Sequence, residues 1–348
     1  MKTSKLNLLQ KYKKLASTLL FFVILGFVFS SCGKDKLDVD VSSIQPEQNV
    51  VRFDSLLFEA HPDTVALNAG ELFERYPEFA SLYFHQIIKT GGPTQREFYD
   101  IFTLFLSDYD IRMAYEKSRS LYEDFSPYRK KIYNAFQHYK YYFPEKEVPD
   151  IYLMMTGFNQ SIVTAEDILG IGVDKFLGED ARYYDQLKIS KYLRKRMTPE
   201  VMPYEAVKGW IVTEFPFNDS VNNLVSNMIY HGKILYLMDA CFPEAPDSLK
   251  IAYTDKDMVW CHKSEEDVWL YMMEKKILFD NNRMLIKKFI EDALFTGPFT
   301  KESPGRVGQW VGWQIVRSYM KKNEQVTIPQ LMKNDDYQKI LLESGYNP

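Results

Sequence analysis

Histidine is scarce in this chain: His61, His85, His138, His231 and His262 are all there is among 348 residues, and no two of them stand four apart. A zinc hydrolase needs three or four His, Cys or carboxylate ligands about 2 Å from the metal, and a base for the metal-bound water. The inventory therefore speaks against catalytic zinc. Cysteine is scarcer still, with three residues and no C-x-x-C pair. No G-x-G-x-x-G opens a helix after a strand, no Walker sequence occurs, and no G-x-S-x-G elbow marks a hydrolase serine. Positive charge is not in excess either, since 43 Lys+Arg face 47 Asp+Glu. Nothing in that balance suggests nucleic-acid binding.

What the N-terminus has is the pattern of an exported lipoprotein. Lys2, Lys5, Lys11, Lys13 and Lys14 precede Leu15 to Phe29, which are 15 largely apolar residues without a charge. The run falls short of the roughly 20 residues of a membrane span and reads as a secretory signal over residues 1–31. Ser30 and Ser31 stand directly before Cys32, as a bacterial lipobox requires. Cleavage before Cys32, a diacylglycerol on its sulfur and acylation of the new amino terminus would give lasting attachment, because several chains hold where one would exchange. An ordinary cleaved signal followed by a chance cysteine is the alternative. Residues 32–50, including the polar run "GKDKLDVDVSSIQPEQNV", are predicted to be a tether that lifts the body off the lipid. Loss of the five signal lysines leaves 38 Lys+Arg against 47 Asp+Glu, a formal charge of −9. Cys241 and Cys261 remain in an oxidising compartment, either bridged or both buried.

The body is predicted to be mainly α with a small β-sheet (α+β). Residues 51–145 carry aromatic and aliphatic residues at three- and four-residue spacing, as in "TQREFYDIFTLFLSDYDIRMAYEKS". The run "YRKKIYNAFQHYKYYFP" reads as a helix with buried tyrosines and a solvated basic edge. From Val148 to Gly178 the pattern becomes short apolar or β-branched runs broken by "FNQS" and glycines, which predicts a sheet there. Helical periodicity returns after Asp180, so residues 146–348 read as a small sheet followed by helices. "SPGRVGQWVGW" reads as a turn leading into a closely packed helix, with Trp310 and Trp313 in the core.

One helix carries the strongest suggestion of a site. In "NNLVSNMIYHGKILYLMDACFPEA", Val221, Leu224, Val225, Met228, Ile229, Gly232 and Leu235 form an apolar stripe. Asn223, Asn227 and His231 share a second face, which turns apolar again at Ile234 and Met238. A polar patch in a helix covered on two sides is the place for a binding site or for a buried hydrogen-bond network. Set on an H-E-x-x-H frame, His231 is the second histidine, with Asn227 at the first histidine position and Met228 at the glutamate. Neither can do that work. Glu265, Glu266 and Glu274, farther along, are the candidate third ligands, or a solvated face. Cys241, Cys261 and His262 make only a weak soft-metal pattern, with 19 residues between the cysteines and no C-x-x-C.

The lipobox, "VVRFDSLLFE", "IYLMMTGFNQSIVTAEDILGIGVDKFLGED", "NMIYHGKILYLMDACFP", "PGRVGQWVGWQIVRSYM" and "ILLESGYNP" together resemble the gliding motility lipoprotein GldB family of the Bacteroidetes, over nearly the whole mature chain. The resemblance implies an envelope lipoprotein needed for surface gliding. It also implies a distant likeness to predicted zinc-dependent proteases that carry H-E-x-x-H on the helix matching "NMIYH", and hence a zincin-like body with a degenerate metal-site helix. The departures at Asn227 and Met228 favour a retired protease scaffold reused for binding, without catalytic residues or a cofactor. Its partners would be the membrane, through Cys32, and other envelope or motility proteins, with the body facing the periplasm from the inner or outer membrane. Two other functions stay open. One is a periplasmic zinc metallopeptidase using His231 with Glu265, Glu266 or Glu274. The other is a carrier holding a ligand in the old active-site cleft.

Overall fold

The computed structural model describes residues 36–348; the signal segment and Cys32 lie outside the described residues. From Asp40 to Pro348 the chain forms one unit. The segment expected to be a free tether is held to that unit from Val41 onward. Gln137 Nε2 donates to the Ile44 carbonyl at 2.6 Å, Gln48 Nε2 to that of Pro149 at 2.9 Å, and the Asn49 N–H to Asp150 Oδ1 at 2.7 Å. Polar composition alone suggested a linker, but amides that find carbonyl partners on the body gain more than they lose in chain entropy.

The fold is mainly helical with one small mixed sheet. Its strands are β1 (Val50–Arg52), β2 (Asp150–Met154), β3 (Ile162–Ala165) and β4 (Ile168–Gly172), in the order β1-β2-β4-β3. β1, β2 and β4 run parallel, and β3 returns antiparallel along β4 with Ala165 opposite Ile168, so the connecting turn has two residues. Three of the strands lie within the 148–178 window read from the sequence. The fourth does not: Val50 ends the predicted tether and Val51 and Arg52 open the predicted helical region, yet Val50–Arg52 pairs as a strand because β2 offers it an open parallel edge. A three-residue strand carries too little periodicity to announce itself.

Helices surround the sheet, of which α1 (Ser126–Tyr142), α2 (Met202–Glu214), α3 (Leu224–Cys241), α4 (Glu265–Glu274), α5 (Arg283–Ile290), α6 (Val307–Lys322) and α7 (Tyr337–Ser344) matter most here. Proline in the first turn starts α1 and α2, where its missing N–H costs nothing. Asn223 and Ser226 make a reciprocal capping box at the start of α3. The "YRKKIYNAFQHYKYYFP" run is α1 with Ile132, Phe136 and Tyr139 buried. Aromatic rings fill the N-terminal core, where Phe79 stacks on Tyr152 of β2 at 4.0 Å and Phe53 meets Phe79 edge-on at 4.8 Å.

The deepest contact is between α3 and α6. A Cβ on Gly232 would collide with the Gly312 carbonyl, and one on Gly312 with the Met228 carbonyl. Two glycines facing each other thus allow backbone against backbone. Around this crossing Trp310 and Trp313 are buried, as the sequence predicted. Asp239 accepts from Trp313 Nε1 at 2.9 Å, from Lys250 Nζ at 2.9 Å, and from both Nε and Nη2 of Arg317 at 2.9 and 2.8 Å. A buried carboxylate satisfied this completely fixes the rotation of α3 against α6. Cys241 and Cys261 are both free and buried, and burial pushes both thiols up, so neither is reactive.

The close crossing makes Gly312 the most sensitive small residue. Gly312→Ala should lower the urea midpoint by the equivalent of at least about 2 kcal/mol at unchanged slope, the cost of forcing packed helices apart. Gly297→Ala, where nothing lies within 4 Å of the added carbon, should leave the midpoint nearly where it was. Equal midpoints for the two variants would show that the crossing has slack.

Candidate functional site

Asn223, Asn227 and His231 are the partly exposed positions along α3, whose other residues are buried, and the two asparagines are engaged locally. Asn223 is the N-cap of α3 and accepts from the Ser226 N–H at 2.9 Å. Asn227 Nδ2 donates to Asn222 Oδ1 and to the Asn223 carbonyl, both at 2.8 Å. Met228 is fully buried in the crossing with α6. Glu265, on α4, accepts from Tyr346 Oη at 2.7 Å, while Glu266 and Glu274 are exposed on the same helix. No group of three or more His, Cys, Asp or Glu among the described residues is placed to hold a metal ion. Of the whole predicted set only His231 borders an unusual environment.

That environment is built mainly by residues the sequence reading passed over. The partly buried His231 ring is held neutral, its pKa pushed down to about 3 by burial and by the charges of Lys208 and Arg306. Lys208 lies on α2 three residues after Glu205. Arg196, from the loop before α2, pairs with Glu205 through Nη2 and with Asp292 Oδ2 through Nη1 at 2.7 Å. Asp292 also takes Arg306 Nε at 2.8 Å, so it bridges two arginines. Burial opposes the charge on Glu205, yet Arg196, Lys208 and Arg306 bring its carboxyl down to about 2. Burial, and then the two arginines against Glu205, lower Lys208 to about 8. Arg306 is lowered by burial and by Arg196. Three cations face two carboxylates, and one positive charge is left over.

The cluster opens into a cavity of about 480 Å³, lined in part by Arg196, Glu205, Lys208 and Asp292 and in part by Ile162, Phe176, Ile189, Leu193, Met197 and Val212. That volume is within the range of small-molecule sites, roughly 300–1,000 Å³. The loop Asn159–Ser161, which also lines it, is pinned by Asp174. The Asp174 carboxylate accepts the Thr156 and Phe158 N–H groups at 2.9 and 2.7 Å and the Thr156 hydroxyl at 3.0 Å. On the other side, Gly209 lets Ile162 of β3 lie directly on α2.

A signal for this site was present in the sequence. "YEAVK" (Tyr204–Lys208) meets the H-E-x-x-H spacing with its glutamate kept and with Tyr204 and Lys208 at the histidine positions. The frame set on "NMIYH" placed the glutamate position at Met228, in the packed core. Read on either frame, the residues do not fit zinc. The charges of Lys208 and Arg306 already disfavour a proton on His231, and they would disfavour a divalent cation there in the same way.

The neutral histidine gives a pH prediction. A group whose folded pKa lies below its unfolded value contributes stability that is present above about 6.5 and is lost as pH falls toward about 3. The stability difference between the natural chain and His231→Gln should therefore shrink on acidification from pH 6.5, at up to about 1.4 kcal/mol per pH unit. A difference in urea-derived stability that stays flat from pH 7 to pH 4 would show that the ring is not held neutral.

No helix among the described residues is long and apolar enough to cross a membrane. Searches of curated proteins and of solved structures found no match. The chain does match the family model described as "Gliding motility protein GldB" over residues 34–348, nearly its whole length and all of the architecture described above, and it therefore belongs to the GldB family of gliding motility proteins.

Proposed function

We propose that this GldB-family protein is a lipid-anchored, non-catalytic component of an envelope assembly that serves gliding, tethered through Cys32 and working by binding rather than by hydrolysis. The observation that carries the reading is the ion pair between Glu205 and Arg196, at the glutamate position of "YEAVK". In a metallopeptidase the H-E-x-x-H frame serves a metal and its water. Here Lys208 stands at a histidine position of that frame, and Glu205, at the general-base position, is paired with Arg196. A carboxylate locked in an ion pair and lowered to about 2 is a poor base near neutral pH. A zincin-like ancestry is compatible with "YEAVK" and supports a scaffold whose cleft was kept while its chemistry was replaced. The metallopeptidase alternative, with Glu265, Glu266 or Glu274 as third ligand, has no such support, because Glu265 is engaged with Tyr346 and the other two stand on an exposed face.

In a gliding host, deletion of the gene should abolish spreading, a copy with the natural sequence should restore it, and Cys32→Ala should not, with the protein released from the membrane fraction. The purified 33–348 chain, prepared without chelators or a histidine tag, should carry far less than one zinc per chain, as should His231→Ala. Unimpaired spreading without the gene would end the motility reading. Near one zinc per chain, lost in His231→Ala, would end the non-catalytic one.

A further inference from the structure

Every cation in the cluster has spare donors. Arg196 spends Nη1 on Asp292 and Nη2 on Glu205, and no described residue accepts from its Nε. The Arg306 Nη1 group is buried and has no hydrogen-bond partner. The Lys208 ammonium makes no hydrogen bond to any described residue, and its ion-pair carboxylate oxygen, Glu205 Oε1, is 3.8 Å away. Lys208 is also only 13 % exposed. The ammonium reaches solvent through the cavity, with three donors open to it and no acceptor among the described residues at bonding distance. Among the residues that line the cavity, Lys175, Arg196 and Lys208 outnumber the carboxylates Glu205 and Asp292 by one.

The cavity beside Lys208 has two kinds of wall. Arg196 and Lys208 supply cationic donors, and Ile162, Leu193, Met197 and Val212 supply apolar surface. A ligand that satisfies both is a monoanion with an apolar body. Its charge should match the surplus, and a planar two-oxygen group fits the guanidinium and the ammonium together. Phosphate is less suited, because it brings more negative charge than the cluster leaves open and has no apolar portion for the other wall. A metal cation is excluded by the sign of the charge.

We propose that this cavity is a carboxylate-binding site: the anion accepts from Lys208 Nζ and Arg196, and its short branched apolar body rests on Ile162, Leu193, Met197 and Val212. The site rests on the binding reading above and gives it a ligand class. Glu205 and Asp292 act as positioning residues that hold Arg196, with Arg306 held by Asp292 in turn. The carboxylate has two sources of equal chemistry, a free branched-chain acid or the C-terminal residue of a peptide.

Calorimetric titration of the 33–348 chain with isovalerate, and with acetyl-Gly-Leu as its free acid, tests the site. Saturable binding of at least one of them is expected, weakened at least tenfold by Lys208→Met and kept within a fewfold by Lys208→Arg. The uncharged amides, isovaleramide and acetyl-Gly-Leu-amide, should bind at least tenfold more weakly to the natural chain. That last comparison stands even where Lys208→Met does not fold. A peptide acid that binds tenfold tighter than isovalerate supports the site with a protein C-terminus as its source; comparable affinities support it with a small acid. No binding of either acid at millimolar concentrations overturns the proposal, as does binding that the amides share or that folded Lys208→Met retains. Such a failure would leave the anchoring reading untouched, since that depends on Cys32 and spreading and not on this cavity.

Discussion

The backbone contact between Leu224–Cys241 and Val307–Lys322 is the constraint from which most of the C-terminal architecture follows. Gly232 and Gly312 remove the side chains that would keep the two helices a normal distance apart. Helices this close need a rotational lock, and Asp239 provides it by accepting from Trp313, Lys250 and Arg317. Burying that carboxylate is tolerable only because each oxygen is satisfied by charged or indole donors. One consequence is that the Leu224–Cys241 helix is buried along nearly its whole length, with only Asn227 and His231 partly exposed. Its histidine is left to look across at a neighbouring helix.

What lies across is a cluster whose logic is electrostatic. Glu205 and Asp292 are paired with arginines, both arginines disfavour the charge on Lys208, and Lys208 and Arg306 disfavour a proton on His231. Such an arrangement is a poor way to gain stability, because desolvating five charges costs several kcal/mol for each and the pairing only returns it. Its retention beside a cavity makes sense when the pre-arranged charge has a use outside folding. Pre-organised donors meet an anion without reorganising, so the cost is met during folding and not at binding.

The proposed anchor and the charged cluster would answer to different physics. Attachment through Cys32 depends on acyl-chain burial in lipid and would be indifferent to the fold. The cluster depends on Met202–Glu214 being seated against Ile162 of the sheet through Gly209, and on the Asn159–Ser161 loop being tied down by Asp174.

The sequence by itself determined the elements whose signals are local. Apolar repeats of three and four residues define the helices, β-branched runs between Val148 and Gly178 define three of the strands, and "SPGRVGQWVGW" declares a turn and a close helix contact. The shortage of histidine and cysteine likewise argued against a metal site of ordinary composition. Tertiary structure decided the rest. Val50–Arg52 became a strand only because Asp150–Met154 offered an edge, and Asn227 turned out to serve its own helix. Arg196, Glu205, Lys208, Asp292 and Arg306 come from a loop, a helix and a second loop about a hundred residues apart, and each alone looks like an ordinary surface charge. Periodicity reports which face of a helix is apolar, but charges interact through space by distance and dielectric, and neither quantity exists until the chain has folded.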